Sequence, residues 1–429
     1  MFDHKFCFGE KPHAFYSIFC TYTTGHLLFG RRIVLLYAVT FLLILPVLFH
    51  DVRHSLFFMH LNKSVLQQLM KTENSQRIAQ AENYFFALNN SGVIERCEAF
   101  SNITSNEDIN VALTIITVSR NRHKINSYEP KYLTQTVWKF HSLLEKWQHY
   151  SQHLRICISI CNVDSDVESY YESRALSKIV PMFSRFNKTH FSFVHVLEKE
   201  KQDYIFCLNQ SLQVHKEAKY IFLVEDDAFP TDDVFHVLQH VILMHTEQSF
   251  VRGEFHSRPS DIAFIKFYHP ERLLNFVSLQ PERLPELFSY AVLLSTLLAI
   301  VCALTCGLKT TGGVDSLWSK LYVFSIIVML VCGRTEISEW RRMASPFFYS
   351  YTPAPSCCTP ALLFPHPMAL LTTNYLSKHR CRNNFGKDSV LDNMLSDMQK
   401  RAYLVQPNTF THIGMYSSLR ERIVDPFLV

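Results

Sequence analysis

Residues 224–230 read VEDDAFP, and the carboxylates Glu225, Asp226 and Asp227 stand in a row directly after the apolar run YIFLV at 220–224. Three oxygen donors at the mouth of a sheet suit Mg²⁺ or Mn²⁺, hard cations that bind carboxylates and phosphates together. Such an ion would neutralise a diphosphate and help it leave, and it would relieve repulsion between the crowded acids. A solvated acidic turn ahead of a helix explains the same three letters, because acidic residues favour helix N-termini. Two further groups have chemistry to offer. Asp388 follows Gly386-Lys387 at the start of a predicted helix, where a fixed, ionised carboxylate serves as a general base or simply as a cap. His412, near the chain end, is either a ligand or an ordinary loop histidine. Asp164 and Asp166, in NVDSD after a predicted strand, would contact a ribose or solvate a loop.

These groups need elements to hold them. VALTIITV at 111–118 and LRICISIC at 154–161 read as buried strands, as do FSFVHV at 191–196, YIFLV at 220–224 and IAFIKFYH at 262–269. Between them lie helical patterns: Leu133, Val137, Phe140 and Leu144 share one face. A second helix runs from about Val167 to Ile179, and a third is EKEKQDYIFCLNQSLQVHKE. Thr231 is placed to cap a helix carrying Val234, Leu238 and Val241. Strands alternating with helices over short connections predict an α/β sandwich around a mostly parallel sheet, with helices on both faces. Ligands bind beyond the carboxyl ends of such strands. Val118-Ser119-Arg120, Asn162-Val163-Asp164 and the acidic triplet all fall there.

Three apolar stretches predict membrane attachment. Ile33 to Phe49, preceded by Arg31-Arg32 and followed by no small-residue cleavage site, reads as an uncleaved signal anchor with a cytosolic N-terminus. Leu287 to Cys306 and Leu317 to Cys332 form a tandem hairpin, the latter short for a full span or else a buried core helix. The expected division is a cytosolic tail at 1–32, the anchor at 33–49, a lumenal stem at 50–108, and one catalytic domain at 109–286 and 334–429 split by the hairpin at 287–333. Sequons at Asn62, Asn89, Asn102, Asn187 and Asn209 all lie between anchor and hairpin, which favours a lumenal location. The short anchor suits a thin early-secretory or Golgi bilayer. Cysteines expected in that oxidising space are Cys97, Cys157, Cys161, Cys207, Cys357, Cys358 and Cys381, an odd number, so at least one is free or pairs between chains. Cys157-x-x-x-Cys161 lacks the second pair a metal site needs and reads as strand or disulfide cysteines. A net charge of +4 with no sustained basic run excludes nucleic acid as a partner.

VEDDAFP, FIKFYHPERL, APSCCTPALLFP, the Gly386-Lys387-Asp388 helix start and HIGMYSSLR together resemble the Golgi GPI-anchor N-acetylgalactosaminyltransferase family, from the anchor to the C-terminus. The resemblance implies a GT-A-like glycosyltransferase domain interrupted by the hairpin, in a multi-pass Golgi membrane protein with its catalytic domain in the lumen. It implies transfer of GalNAc from UDP-GalNAc, with inversion and with Mn²⁺ or Mg²⁺, to a mannose of the GPI glycan on GPI-anchored proteins. By the same resemblance Asp227 is the direct metal ligand, Glu225 and Asp226 face the nucleotide sugar, and Val118-Ser119-Arg120 is the loop that meets the uridine. His412 completes the metal or diphosphate site, and Asp388 is the inverting base. Membrane lipid is the other expected partner, since a hairpin would hold the active site near a lipid-anchored acceptor. Two other readings stand beside this one: a UDP-GlcNAc-dependent transferase acting on N-glycans, and a non-catalytic Golgi membrane scaffold or cargo protein.

Overall fold

The computed structural model describes residues 34–50, 52, 63–91, 109–120, 128–148, 154–186, 195–247, 261–276, 283–306, 314–417 and 422–423. The chain forms two compact units, Met1–Leu61 with Glu271–Ile337, and Asn62–Pro270 with Ser338–Val429. In chain order the elements are α1 (Val34–Phe49), α2 (Lys63–Ser91), β1 (Ile109–Thr117), α3 (Tyr132–Gln148), β2 (Leu154–Asn162), α4 (Tyr171–Leu176), β3 (Met182–Ser184), α5 (Val196–Val214), β4 (Tyr220–Glu225), β5 (Ala228–Pro230), α6 (Val234–Val241) and β6 (Ile262–Lys266). There follow α7 (Arg283–Cys306), α8 (Val314–Cys332), two short helical turns, β7 (Ser350–Pro353), β8 (Ala361–Pro365), α9 (His366–Lys378), α10 (Lys387–Asp397), β9 (Arg401–Gln406) and β10 (Phe410–His412).

In the larger unit an eight-stranded sheet has the order β3-β2-β1-β4-β8-β6-β9-β7. β1 to β4 run parallel, and β6 and β9 pair parallel further along, while β8 and β7 are antiparallel insertions. The central strands are apolar throughout because helices cover both faces. One face buries Leu133, Val137 and Phe140 of α3 with Val234 and Leu238 of α6. The other buries Tyr204 and Leu208 of α5, Met368 and Leu376 of α9, and Val390 and Met394 of α10.

Register decides where the chemistry falls. Thr117 pairs with Asn162 and Ile116 with Glu225, so three parallel strands end at one level. Pro360, just before β8, accepts from the Glu225 backbone N–H at 2.7 Å, which brings the 357–359 loop to the same edge. In the small β5–β10 ladder His412 pairs with Ala228, and that pairing carries the end of the chain to the acidic triplet.

Several expectations need correction. Met182–Ser184 is a parallel strand beside β2, and Val196, the last residue of the expected strand 191–196, lies in a helix. The helix α5 begins at Val196, where His195 Nδ1 accepts from the Leu197 N–H and starts it; residues 191–194 lie outside the described residues. The region read as a stem contains α2, which packs on α3 through buried Leu66, Met70, Ala81 and Phe85 and through hydrogen bonds from Asn74 to the Glu129 carbonyl and from Arg77 to Gln135. A helix that buries apolar and polar groups in this way is part of the larger unit. Its amphipathic signal is weak because Asn74, a buried polar residue, shares the packed face with the apolar residues. Cys161 is bonded to Cys207, fastening the end of β2 to α5, and Cys157 is also disulfide-bonded. A separation of 46 residues makes this worth about 4 kcal/mol by loop closure.

In the smaller unit α7 and α8 pack side by side, with Trp318 Nε1 donating to Thr296 at 3.3 Å, and Tyr37 of α1 stacks edge-on against Phe324 of α8. The helix Arg283–Leu304 is long and apolar enough to cross a membrane; Val34–Phe49 is shorter, and Leu317–Cys332 meets Arg334–Ala344 at a bend of 100°.

Candidate active site

At the carboxyl edge the three acids take three different partners. Asp227 is buried, 6% exposed, and its Oδ2 accepts from Arg120 Nη1 at 2.8 Å with His412 Nε2 3.4 Å away. Asp226, 2% exposed, accepts from Arg120 Nη2 at 2.5 Å and from the Thr117 hydroxyl at 2.7 Å. Glu225 reaches the other way, to Lys387 Nζ at 3.0 Å. The triplet is therefore no solvated turn.

Burial raises all three carboxyl pKa values, and neighbours then separate them. Against that burial, Arg120 and then His412 hold Asp227 well below the usual carboxylate range. Asp226 remains raised to about 6 by burial despite Arg120, and Glu225 remains raised by burial despite Lys387. His412 loses by burial but gains more from Asp227, so its pKa is raised.

Arg120, expected in the loop that meets the uridine, bridges Asp226 and Asp227 with its guanidinium, donates to the Tyr416 carbonyl at 2.9 Å and lies 4.8 Å from the Tyr132 ring centre. Ser119 is buried with its backbone N–H on Asp164 Oδ2 at 2.8 Å. Asp164 itself is fully buried and its Oδ1 accepts from the Asp166 N–H. It braces the loops after β1 and β2 and is closed to a ribose. Val118 is half-buried against Val163 and the Cys161–Cys207 bridge.

Asp388 lies in the first turn of α10. Its Oδ2 accepts from the Cys358 N–H and its Oδ1 from the Thr359 hydroxyl, both at 2.8 Å. Two of about four acceptor sites on a carboxylate are thereby used, leaving the rest for an incoming hydroxyl. The link between this helix and the triplet runs through Lys387, 4% exposed, which bridges Glu225 and Glu200 at 3.0 Å each and lies over the Tyr204 ring. Sequence reasoning passed over Lys387, although a lysine in the first turn of a helix opposes the macrodipole and signals a specific acidic partner.

Of the sequons, Asn89 is exposed near the end of α2 and Asn209 is half-buried within α5; Asn62, Asn102 and Asn187 lie outside the described residues.

Asp227 Oδ1 and His412 Nδ1 are buried without a hydrogen-bond partner, adjacent groups with ligand atoms to spare. Among the described residues no cluster of three or more His, Cys, Asp or Glu is arranged to hold a metal. The protein thus offers two ligand-type side chains, which fits an ion that takes its remaining ligands from phosphate and water. Space here is tight: a Cβ on Gly414 would meet Asp227 Oδ2 at 2.4 Å and His412 Cε1 at 2.9 Å. Gly414→Ala is expected to displace both side chains and lower turnover on the order of 10²-fold, with little change in thermal midpoint; steady-state kinetics beside a melting curve check it.

Glu172 adds a pH dependence. Burial raises its carboxyl to about 7, opposed by the Thr134 N–H that donates to it at 2.7 Å. Between the unfolded value of about 4.3 and that folded value the native chain binds more protons than the unfolded one, so stability falls as pH rises. Glu172→Gln should remove roughly 1–2 kcal/mol of that decline, seen as a urea midpoint that no longer drops from pH 5 to 7.5.

Acids and bases gathered beyond the carboxyl ends of parallel strands make that edge of the α/β fold the candidate ligand site. A family model described as GPI-N-acetylgalactosamine transferase PGAP4 matches residues 111–411, so the chain belongs to that family and is a glycosyltransferase. The matched region holds each residue of the acidic and basic cluster except His412, which follows it directly.

Proposed function

We propose that the protein is an inverting, metal-dependent transferase that moves GalNAc from UDP-GalNAc to a mannose of the GPI glycan on GPI-anchored proteins, on the lumenal side of the Golgi membrane. The observation that supports it most is Asp227 and His412 side by side with unused ligand atoms at the edge where Asp388 also stands.

Asp227 and His412 would hold Mn²⁺ or Mg²⁺. Bound there, the ion supplies electrostatic stabilisation of the charge that develops on the departing diphosphate. The chain's own residues do the remaining work. Arg120 pairs with Asp226 and Asp227, and Lys387 with Glu225, so the triplet's repulsion of a diphosphate is reduced. Asp388, held by Cys358 N–H and the Thr359 hydroxyl, accepts the proton of the acceptor mannose hydroxyl as its oxygen attacks the anomeric carbon. The apolar helices keep the enzyme at the membrane that holds its lipid-anchored acceptor.

The test is UDP release and product formation with UDP-GalNAc against UDP-GlcNAc, a GPI-glycan acceptor, and Mn²⁺ or a chelator. GalNAc transfer that is lost on chelation, with a β-linked product from the α-linked donor, is expected. Equal rates with the two donors, or full activity in chelator, would overturn the corresponding part.

A further inference from the structure

The segment after α8 exposes bulky apolar side chains in one place. Trp340 is 42% exposed, Met343 87%, Phe347 69% and Phe348 53%. Trp340 and Met343 share a face of the Trp340–Ala344 turn, and the Trp340 ring packs on Phe348 with centroids 5.4 Å apart. Contiguous exposed aromatic surface of this kind marks an interaction site.

The cluster is also rigidly tied to the catalytic edge. Arg342 donates to Asp233 Oδ1 at 2.6 Å, to the Thr231 hydroxyl at 3.0 Å and to the Asn408 carbonyl at 2.5 Å, and Tyr349 donates to Asp233. Phe347 packs edge-on against His240 of α6. Thr231 and Asn408 flank the β5–β10 ladder, which follows Asp227 at one end and carries His412 at the other.

We propose that Trp340, Met343, Phe347 and Phe348 form a foot that inserts into the interfacial layer of a lipid bilayer and sets the height of the Asp227–His412 edge above it. A lipid surface is the occupant for three reasons. An exposed Trp beside exposed Met and Phe side chains has the composition of a membrane–water interface. The chain leaves the apolar helix α8 at Cys332, and a mostly helical path at 1.5 Å per residue keeps Trp340 within roughly 15 Å of that end. The helical axis turns by 100° just after Cys332, so residues 334–344 do not continue the line of α8. The inference rests on α7 and α8 being in the bilayer, and it assigns a separate, surface-seated contact to the catalytic unit.

The experiment uses the full chain in nanodiscs, with an environment-sensitive fluorescent amino acid encoded at Met343, at Leu297 of α7 or at exposed Glu217. Emission from position 343 should be blue-shifted and quenched at least about twofold by lipids with a nitroxide near the headgroup, with little quenching by iodide. Position 217 should respond to iodide alone. If 343 behaves like 217 the foot is overturned, whatever 297 shows; a lipid response at 297 alone upholds the span and removes the foot. In a second arm, the M343S/F347S/F348S variant should transfer sugar on the order of 10-fold more slowly to a bilayer-anchored acceptor, and within about twofold of normal to a lipid-free acceptor glycan. Equal slowing on both acceptors contradicts the proposal.

Discussion

Asp227→Asn is expected to lower sugar transfer by about three orders of magnitude or more while the chain still folds. The substitution keeps the shape of the side chain and removes its charge. Arg120 keeps its pairs with Asp226 and with the Tyr416 carbonyl, so no buried guanidinium is stranded. What disappears is a carboxylate held far below the ordinary range, with a buried oxygen that takes no hydrogen bond among the described residues. If that oxygen holds a divalent ion, the variant loses both the ion and its stabilisation of the leaving diphosphate, an effect of the size seen for preorganised charge elsewhere. The measurement is kcat/KM across a Mn²⁺ titration, with circular dichroism as the check on folding. Asp226→Asn is the contrast: Asp226 spends its oxygens on Arg120 and Thr117, so its loss should act more on stability than on metal response. A folded Asp227→Asn enzyme with a tenth of normal activity would remove the cation from the mechanism.

Lys387→Met should lower stability and turnover together. The ammonium is buried between Glu225 and Glu200, where burial opposes its charge and the two carboxylates outweigh that opposition. Removing it leaves the two carboxylates, 35% and 34% exposed, without their shared counter-charge. Solvent screens part of their repulsion, so the loss is about 1–2 kcal/mol. A second effect follows from position: Asp388 is the next residue, so the variant should show a fall in kcat larger than any rise in KM. Glu225→Gln in the same background should recover part of the lost stability, because it removes the stranded charge. Urea midpoints of the two single variants and the double variant give the coupling directly. Additive losses would show that Lys387 and Glu225 do not depend on each other.

The amino-acid sequence by itself determined the sheet-forming runs, the acids at their carboxyl ends and the helix start at Asp388, because each is a local pattern. Apolar runs such as VALTIITV and YIFLV are long and unbroken, and a parallel strand buried on both faces leaves that mark. The end of the stretch 191–196 misled because a β-branched residue suits a strand and a helix start equally well, and His195 decided it by capping the helix that begins at Val196. The long α2 carried no clear periodicity, since its buried face includes Asn74. Tertiary structure alone decided the pairings: that Arg120 serves Asp226 and Asp227, that Lys387 spans Glu225 and Glu200, that Asp164 is a brace, and that Gly414 must lack a side chain. Those facts depend on strand register and on a ladder joining residues 228 and 412. Contacts across such separations leave no periodic trace in the chain; they exist only once the sheet has closed.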